Sequence, residues 1–559
     1  MKAIPYGISD YEKLINNNCY YVDKTKYIEL LEIPSNSYVM FLRPRKFGKT
    51  LFTSVLENYY DINKKGSFDK LFGETYIGKH PSKLKNSYYI LRFNFSGIDT
   101  TSEETTINKF KEKVTASIQD FIDRYKIDFY INPELSAEGL LNNLIIAFKN
   151  QKQGEKLYVI IDEYDHFANE LLGFRTKEFK NLISKNGKIR KWYEILKEGT
   201  ESVIDRIFIT GVAPITLDSM TSGFNIISDL TRDREFNEIM GFTKEELIKI
   251  MDSQEINKEK QEELLPIMEE NYDGYRFSKE AEIKIYNSNM CLYFLNEYIK
   301  YKEIPEELVD TNIASDYSKI GNMLRLCRNE NRLDIIGKTV SGKGILTTLI
   351  RQFNPEKSFE EAEMVSMLYY LGYLTIVGER LGKVELGIPN KAIKEIYARY
   401  FLKILEEDTN LKINEKQYNE ILEEIALKGK IDKITKLVEE YLSNLSNRDF
   451  IGFDEKYIKI MFYCILMNFE MYWVKSEMEI KRNYPDILLI PRDLNNNYYS
   501  IMIEFKYLKK GEENKLKEKQ EEAKEQIIRY SNFEEIKSLE NLKKFTVVVV
   551  NDKIYVEEV

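Results

Sequence analysis

Two short strings hold residue types that phosphate chemistry needs. Near one end, Gly48-Lys49-Thr50 closes the run Arg43-Pro44-Arg45-Lys46-Phe47-Gly48-Lys49-Thr50; near the other, Pro485-Asp486 stands a short strand ahead of Glu504-Phe505-Lys506. In the first string, backbone N–H groups of Arg45, Lys46, Phe47, Gly48, Lys49, Thr50 and Leu51 would face the phosphates of ATP. Lys49 would meet the terminal phosphates and the Thr50 hydroxyl a Mg²⁺. In the second, Asp486 and Glu504 offer hard oxygen ligands to Mg²⁺, with Mn²⁺ as an alternative ion. Lys506 can there orient the attacking water or offset phosphate charge.

The first string needs a strand before it and a helix after it. Ser37 to Leu42 reads as a short buried strand and Thr50 to Tyr60 as an amphipathic helix. The usual opening glycine of such a loop is Arg43 here. A second apolar strand, Leu157 to Ile161, ends in Asp162-Glu163-Tyr164-Asp165, where a phosphate-loop enzyme places one carboxylate on Mg²⁺ and a second against water. Asp162 is the expected metal partner and Glu163 the expected catalytic base. The plainer alternative is that two acids merely end a buried strand; both signals in the right order argue against it. A third strand, Arg206 to Gly211, brings Thr210 forward as a sensor of the γ-phosphate. Arg232 and Arg234 follow, as finger candidates or as solvated surface arginines, the latter preferred.

The second string needs a sheet. Lys456 to Met471 reads as an apolar helix, followed by strands Val474 to Ile480, Asp486 to Ile490 and Tyr498 to Tyr507. Alternation puts Glu504 and Lys506 on one face and Ile503, Phe505 and Tyr507 on the other. Glu477 and Glu479 share a face of the first strand as candidates for a further metal ligand, with Glu470 as the alternative. The Lys509 to Lys524 run mixes Lys with Glu at helical spacing and reads as a solvated face.

Between the two halves, Thr243 with Glu246 forms a capping-box pattern that starts a helical lid. Helical periodicity from Phe359 to Leu371, strand alternation over Gly372 to Ile376, a return strand from Val384 to Asn390 and a helix from Lys391 to Leu405 suggest a winged-helix-like unit. It lacks a dense basic recognition helix, so a relay or packing role is preferred over reading DNA.

Several strings together resemble the bacterial AAA-ATPase-like proteins fused to a C-terminal PD-(D/E)xK nuclease-superfamily domain: Ile4-Pro5-Tyr6-Gly7, Tyr21-Val22-Asp23-Lys24-Thr25, the Arg43 to Thr50 loop, Asp162-Glu163-Tyr164-Asp165, Thr210-Gly211-Val212 and Tyr272-Asp273-Gly274-Tyr275-Arg276-Phe277. Arg43 looks like that family's own form of the loop. In the C-terminal part, Lys475-Ser476-Glu477 favours Glu477 as the extra ligand, and Ala523, Gln526 and Tyr530 are similar to the helix after the family's lysine. Gln526 would support the site and Tyr530 would pack. Tyr484-Pro485 stands where many relatives have Gly-Arg.

The resemblance implies a multidomain α/β chain: a P-loop NTPase sheet with a helical lid and a winged-helix-like unit, then a PD-(D/E)xK α/β domain. The expected divisions are 1–235 for the ATPase domain, 236–300 for the lid, 301–405 for the winged-helix-like region, 406–450 for a helical connector and 451–559 for the nuclease-like domain. The leading function is ATP binding and hydrolysis coupled to Mg²⁺-dependent cleavage of DNA. Its rival is an ATP-driven interaction switch whose nuclease-like domain binds without cutting.

Composition narrows the setting. At 559 residues the chain exceeds one core, and a net charge of -9 with a pI near 5.4 gives no overall positive field, so DNA must be met by local patches. Cys19, Cys291, Cys327 and Cys464 lack metal spacing and read as reduced thiols, and His80 and His166 are too few for a His-rich site. No secretory pattern and no membrane-length apolar run is seen, so the expectation is a cytoplasmic protein without a membrane partner; a homo-oligomer is allowed, not required.

Overall fold

The computed structural model describes residues 2–166, 187–214, 225–309, 335, 336, 339, 344–351, 353, 360–445, 455–469, 471–476, 485–493 and 496–559. The chain divides into two compact units, Met1–Asn331 with Gly344–Ala392 and Arg332–Lys343 with Ile393–Val559.

In the first unit, β1 (Tyr38–Leu42), β2 (Tyr89–Asn94), β3 (Leu157–Asp162), β4 (Ile204–Gly211) and β5 (Ser228–Asp229) make a parallel sheet in the order β2-β3-β4-β1-β5. All six residues of β3 are buried, the pattern of a parallel strand covered on both faces. Helices Lys49–Tyr60, Glu103–Tyr125, Ala137–Gln151 and Lys188–Thr200 provide the cover. Because every strand runs the same way, the loops after β1, β3 and β4 emerge at one edge of the sheet, where open α/β folds hold ligands.

Thr243 and Glu246 reciprocally cap helix Lys244–Ser253. That helix, Lys258–Tyr272 and Ser288–Tyr301 share an apolar core containing Leu247, Ile250, Met268, Tyr272 and Phe294. Farther on, β6 (Ile345–Thr347), β7 (Thr375–Arg380) and β8 (Lys383–Gly387) form an antiparallel sheet in the order β6-β8-β7. Helices Glu361–Tyr370 and Lys391–Thr409 flank the hairpin, so the helix, hairpin and helix read from periodicity are present, with β6 added as a third strand. Asn414, with Gln417, caps helix Glu415–Lys428.

The second unit centres on β9 (Tyr472–Ser476), β10 (Ile487–Pro491), β11 (Ser500–Leu508), β12 (Leu542–Val550) and β13 (Lys553–Glu558), ordered β13-β12-β11-β10-β9. Only the β11/β12 pair is parallel, and helix Leu516–Tyr530 makes the crossover between them. Ala523, Ile527 and Tyr530 are the buried stripe of that helix; Ile527 and Tyr530 pack with Leu488 and Met502. Helix Glu455–Leu466 ends five residues before Met471, where the periodicity placed its end, because the chain turns at Met467 and Asn468 before β9. Cys19, Cys291 and Cys464 are buried free thiols; Cys327 lies outside the described residues. Among the described residues no helix is long and apolar enough to cross a membrane.

Candidate functional site

The loop after β1 is held by its own unusual residues. Arg43, fully buried, donates to the carbonyls of Leu42, Thr231 and Phe236 at 2.7–2.9 Å and lies 4.2 and 4.0 Å from the ring centres of Phe41 and Phe277. It ties the end of β1 to Thr231, Phe236 and Phe277, a task glycine cannot do. Phe47 sits between Tyr275 and Phe277, with centroids at 4.9 and 5.5 Å, and its carbonyl accepts from the Gly241 N–H. Gly48 turns with φ 94°, a conformation that strains any side chain, and helix Lys49–Tyr60 starts directly after it.

That geometry opens a cavity of about 590 Å³. Every residue from Arg45 to Leu51 lines it, with Glu163 and His166 nearby and Ile8, Tyr20, Tyr21, Met240 and Leu292 on a more apolar part of the wall. Lys49, 5% exposed, donates to the carbonyls of Arg43 and Pro44, each at 3.1 Å. Burial lowers its pKa, opposed by the charges of Glu163, Asp165 and Asp162.

Asp162 is fully buried at the end of β3, and neither carboxylate oxygen accepts a hydrogen bond. Arg92 stands 3.7 Å away. Burial and the neighbouring Glu163 raise the Asp162 carboxyl, while the charges of Arg92 and Lys49 pull it back. Arg92 offsets part of the cost of this burial, and a hydrogen-bond donor or a metal ion on the carboxylate would offset more. Glu163 adopts a left-handed backbone, φ 53°, and its Oε2 lies 3.7 Å from His166 Nδ1. Burial would raise its carboxyl, but His166, Lys49 and Arg45 prevail and hold it at about 2.

Asp165 plays a different part. Its carboxylate accepts from the N–H groups of Val212 at 3.0 Å and Ala213 at 2.7 Å, and the Tyr164 hydroxyl donates to the Ala213 carbonyl at 2.7 Å. The segment after β4 is thereby locked to the segment after β3. A Cβ on Gly211 would come within 2.2 Å of Asp165 Oδ1, so only glycine fits. Thr210 is set back: buried, absent from the cavity wall, its hydroxyl donated to the Phe41 carbonyl at 2.7 Å. In this structure the hydroxyl serves the β1/β4 junction. Arg232 and Arg234 do not line the cavity either.

The second constellation is built on β10 and β11. Pairing of Ile487 with Ile503 sets Asp486 beside Glu504, and the Asp486 N–H approaches Glu504 Oε2 at 3.4 Å. Asp486 Oδ2 accepts from the Phe505 N–H at 2.7 Å. Lys506 Nζ is 3.1 Å from Glu504 Oε1 and also donates to the Phe505 carbonyl. All three side chains are buried, at 8% exposure or less. Burial raises both carboxyls, and Asp486 pushes Glu504 farther, against the pull of Lys506 and Lys459. Glu477, Glu479 and Glu470 lie outside the described residues. Among the described residues no three acids, histidines or cysteines converge as a metal cluster.

His166, Arg92, Lys459 and Glu455 escaped the reading of the sequence. His166, set aside there because two histidines are too few for a His-rich site, belongs to the cavity wall, and its spacing of three from Glu163 was the available signal. Arg92 reaches Asp162 from β2, with no motif to announce it. Lys459 pairs with Asp486, and Glu455 with Lys459; on a helix such a pair reads as a surface salt bridge. Tyr530 packs as expected, yet lies near enough to Glu504 and Asp486 for their charges to raise its pKa after burial does. Gln526 presents a buried Oε1 without a hydrogen-bond partner.

Comparison with known families matches two stretches of the chain. Residues 5–221 match the family described as predicted AAA-ATPase, and residues 453–559 match the PD-(D/E)XK nuclease superfamily. The chain joins an AAA-ATPase-like region to a PD-(D/E)XK nuclease-superfamily region. An uncharacterized protein in the vnfD 5' region of Azotobacter chroococcum is 24% identical over 295 residues, 51% of this chain and 50% of that protein. The chain thus spans about half the length of this curated relative. Among solved structures, Cdc6p from Pyrobaculum aerophilum overlays at a TM-score of 0.27 with 11% identity, over 72% of this chain and 96% of its own. The ORC2 protein of Aeropyrum pernix does so at 0.32 with 12% identity, over 71% and 93%. The AAA-ATPase-like region contains the β1 loop and the β3 acids; the nuclease-superfamily region contains Asp486, Glu504 and Lys506.

Proposed function

We propose that the AAA-ATPase-like region binds and hydrolyses ATP with Mg²⁺, and that this cycle is coupled to Mg²⁺- or Mn²⁺-dependent cleavage of DNA phosphodiester bonds by the nuclease-superfamily region. The observation that carries the ATPase half is Asp162: a buried carboxylate with neither oxygen hydrogen-bonded, next to Thr50 and Lys49 at the mouth of a strand, loop and helix. Its oxygens and the Thr50 hydroxyl make a donor set suited to Mg²⁺. The amides from Arg45 to Leu51 and the Lys49 ammonium would receive the phosphates. Glu163, held ionised, is the catalytic carboxylate that would accept a hydrogen bond from the attacking water and so orient and polarise it, with His166 fixing its direction. The apolar stretch of wall at Tyr20, Tyr21 and Met240 would take the base.

For the nuclease half, support comes from Asp486 and Glu504 side by side with Lys506 between strand and site. Their oxygens suit a divalent ion, which when bound supplies a more acidic water and charge to offset the phosphate. Lys506 would hold that water or the phosphate in line, and Gln526 would support it from the crossover helix.

The test is paired. ATP turnover that is equal in the parent and in Asp162→Asn would remove the ATPase reading. DNA cleavage with Mg²⁺ or Mn²⁺ in the parent that vanishes in Asp486→Asn is the expected result for the other half. Nucleotide-dependent DNA binding with no cleavage under any divalent ion would instead support an interaction switch.

A further inference from the structure

Helix Glu455–Leu466 carries a second lysine into the nuclease-superfamily site. Lys459 Nζ is ion-paired with Asp486 Oδ1 and, at 2.9 Å, with Glu455 Oε1. The other Asp486 oxygen is taken by the Phe505 N–H at 2.7 Å. Glu504, for its part, already faces Lys506 at 3.1 Å. The two carboxylates that would hold a metal are thus each matched by an ammonium in a site where the acids are 3% and 4% exposed.

A divalent ion added to two such matched pairs leaves an excess of positive charge where solvent screens poorly. One ammonium must give way. Lys506 is held twice, by Glu504 and by the Phe505 carbonyl, on a strand paired on both sides. Lys459 is on a helix, its side chain is 21% exposed, and Glu455 at 33% exposure offers it a second partner nearer solvent. We propose that Lys459 is an internal cation gate: it and the divalent ion compete for Asp486, and Glu455 receives the displaced ammonium. The inference rests on Asp486 and Glu504 being a metal site. It means that metal affinity is set below what the acids alone would give, by the free energy of removing Lys459 from Asp486.

Mn²⁺ binding to the full chain, read from loss of the free-ion paramagnetic signal, tests this, with Asp486→Asn as the blank for ions held elsewhere. Lys459→Met is expected to bind Mn²⁺ roughly tenfold more tightly than the parent, within the usual span of site-to-site coupling. Lys459→Arg, which keeps the charge, should stay at or below parent affinity. If Lys459→Met lacks a cooperative thermal transition, Lys459→Gln takes its place with the same expectation. Equal or weaker binding in the neutral variants, with the parent binding above the blank, overturns the gate and leaves the metal site standing. Parent and neutral variants all equal to the blank overturn the metal site and the gate together.

Discussion

The ring of Phe47 meets the ring of Tyr275 edge-on, centroids 4.9 Å apart and planes at 82°. One residue belongs to the loop after β1 and the other to the string Tyr272 to Phe277, so the contact makes the loop's shape depend on that string. Phe47 is 1% exposed and its ring also reaches Phe277. Phe47→Ala should therefore lower stability by about 3–5 kcal/mol, the usual range for emptying a buried Phe site. Denaturant unfolding would measure it. A loss below about 1 kcal/mol would mean that the loop does not lean on Tyr275 and Phe277.

Lys49 makes its two hydrogen bonds to carbonyls of its own loop, Arg43 and Pro44. Phosphates would replace carbonyls with a stronger, charge-assisted partner, worth roughly 1.5–3 kcal/mol for a hydrogen bond to a charged group. Lys49→Ala should then weaken ATP binding roughly ten- to hundredfold in a fluorescent-nucleotide titration. Affinity within twofold of the parent would separate Lys49 from the phosphates.

What the sequence made legible was whatever is local. The strand before Arg43, the helix after Gly48, the capping box at Thr243 and the alternation that puts Glu504 and Lys506 together all follow from spacing over a few residues. Thr210 shows the limit: being at the end of a strand is visible, but the Phe41 carbonyl that takes its hydroxyl is 169 positions away. Arg92 and Lys459 are the same problem reversed. Each is a charged residue on an ordinary element, and only the sheet order or helix packing reveals which acid it meets. The strings carrying the family resemblance gain physical content here, since Arg43 and Phe47 both contact Phe277.

A charge network beneath the phosphate-loop helix should shape acid stability. Glu57, 12% exposed, pairs with Arg92 at 2.8 Å and Arg124 at 2.6 Å. Burial would raise its carboxyl, but the two arginines prevail and hold it below the ordinary 4.5. A carboxyl depressed by folding stabilises the native state above the unfolded value, and that contribution disappears as pH falls below about 4.5 toward the folded value. Asp61, close to Arg124, is raised by burial and has the opposite sign, so the wild-type curve alone mixes the two. Glu57→Gln isolates the first. It should cost roughly 2 kcal/mol at neutral pH, and the difference from the parent should shrink as pH drops through that window. A pH-independent difference in urea unfolding would place the loss in packing instead.

Lys506 is the most direct test of the C-terminal chemistry. It is buried, paired with Glu504 at 3.1 Å and bonded to the Phe505 carbonyl at 3.0 Å, so its ammonium has a fixed position on β11. If that ammonium stabilises charge that develops on phosphate, Lys506→Ala should lower the cleavage rate by roughly two to three orders of magnitude, the scale for removing one preorganised donor. Substrate affinity should change far less, because long DNA is held mainly by backbone contacts away from the reacting bond. Single-turnover cleavage with Mn²⁺ alongside a DNA-binding titration separates the two. A variant that binds DNA and cleaves it at the parent rate would move the reaction to another set of residues. One that has lost binding and cleavage in equal measure would make Lys506 a structural partner of Glu504.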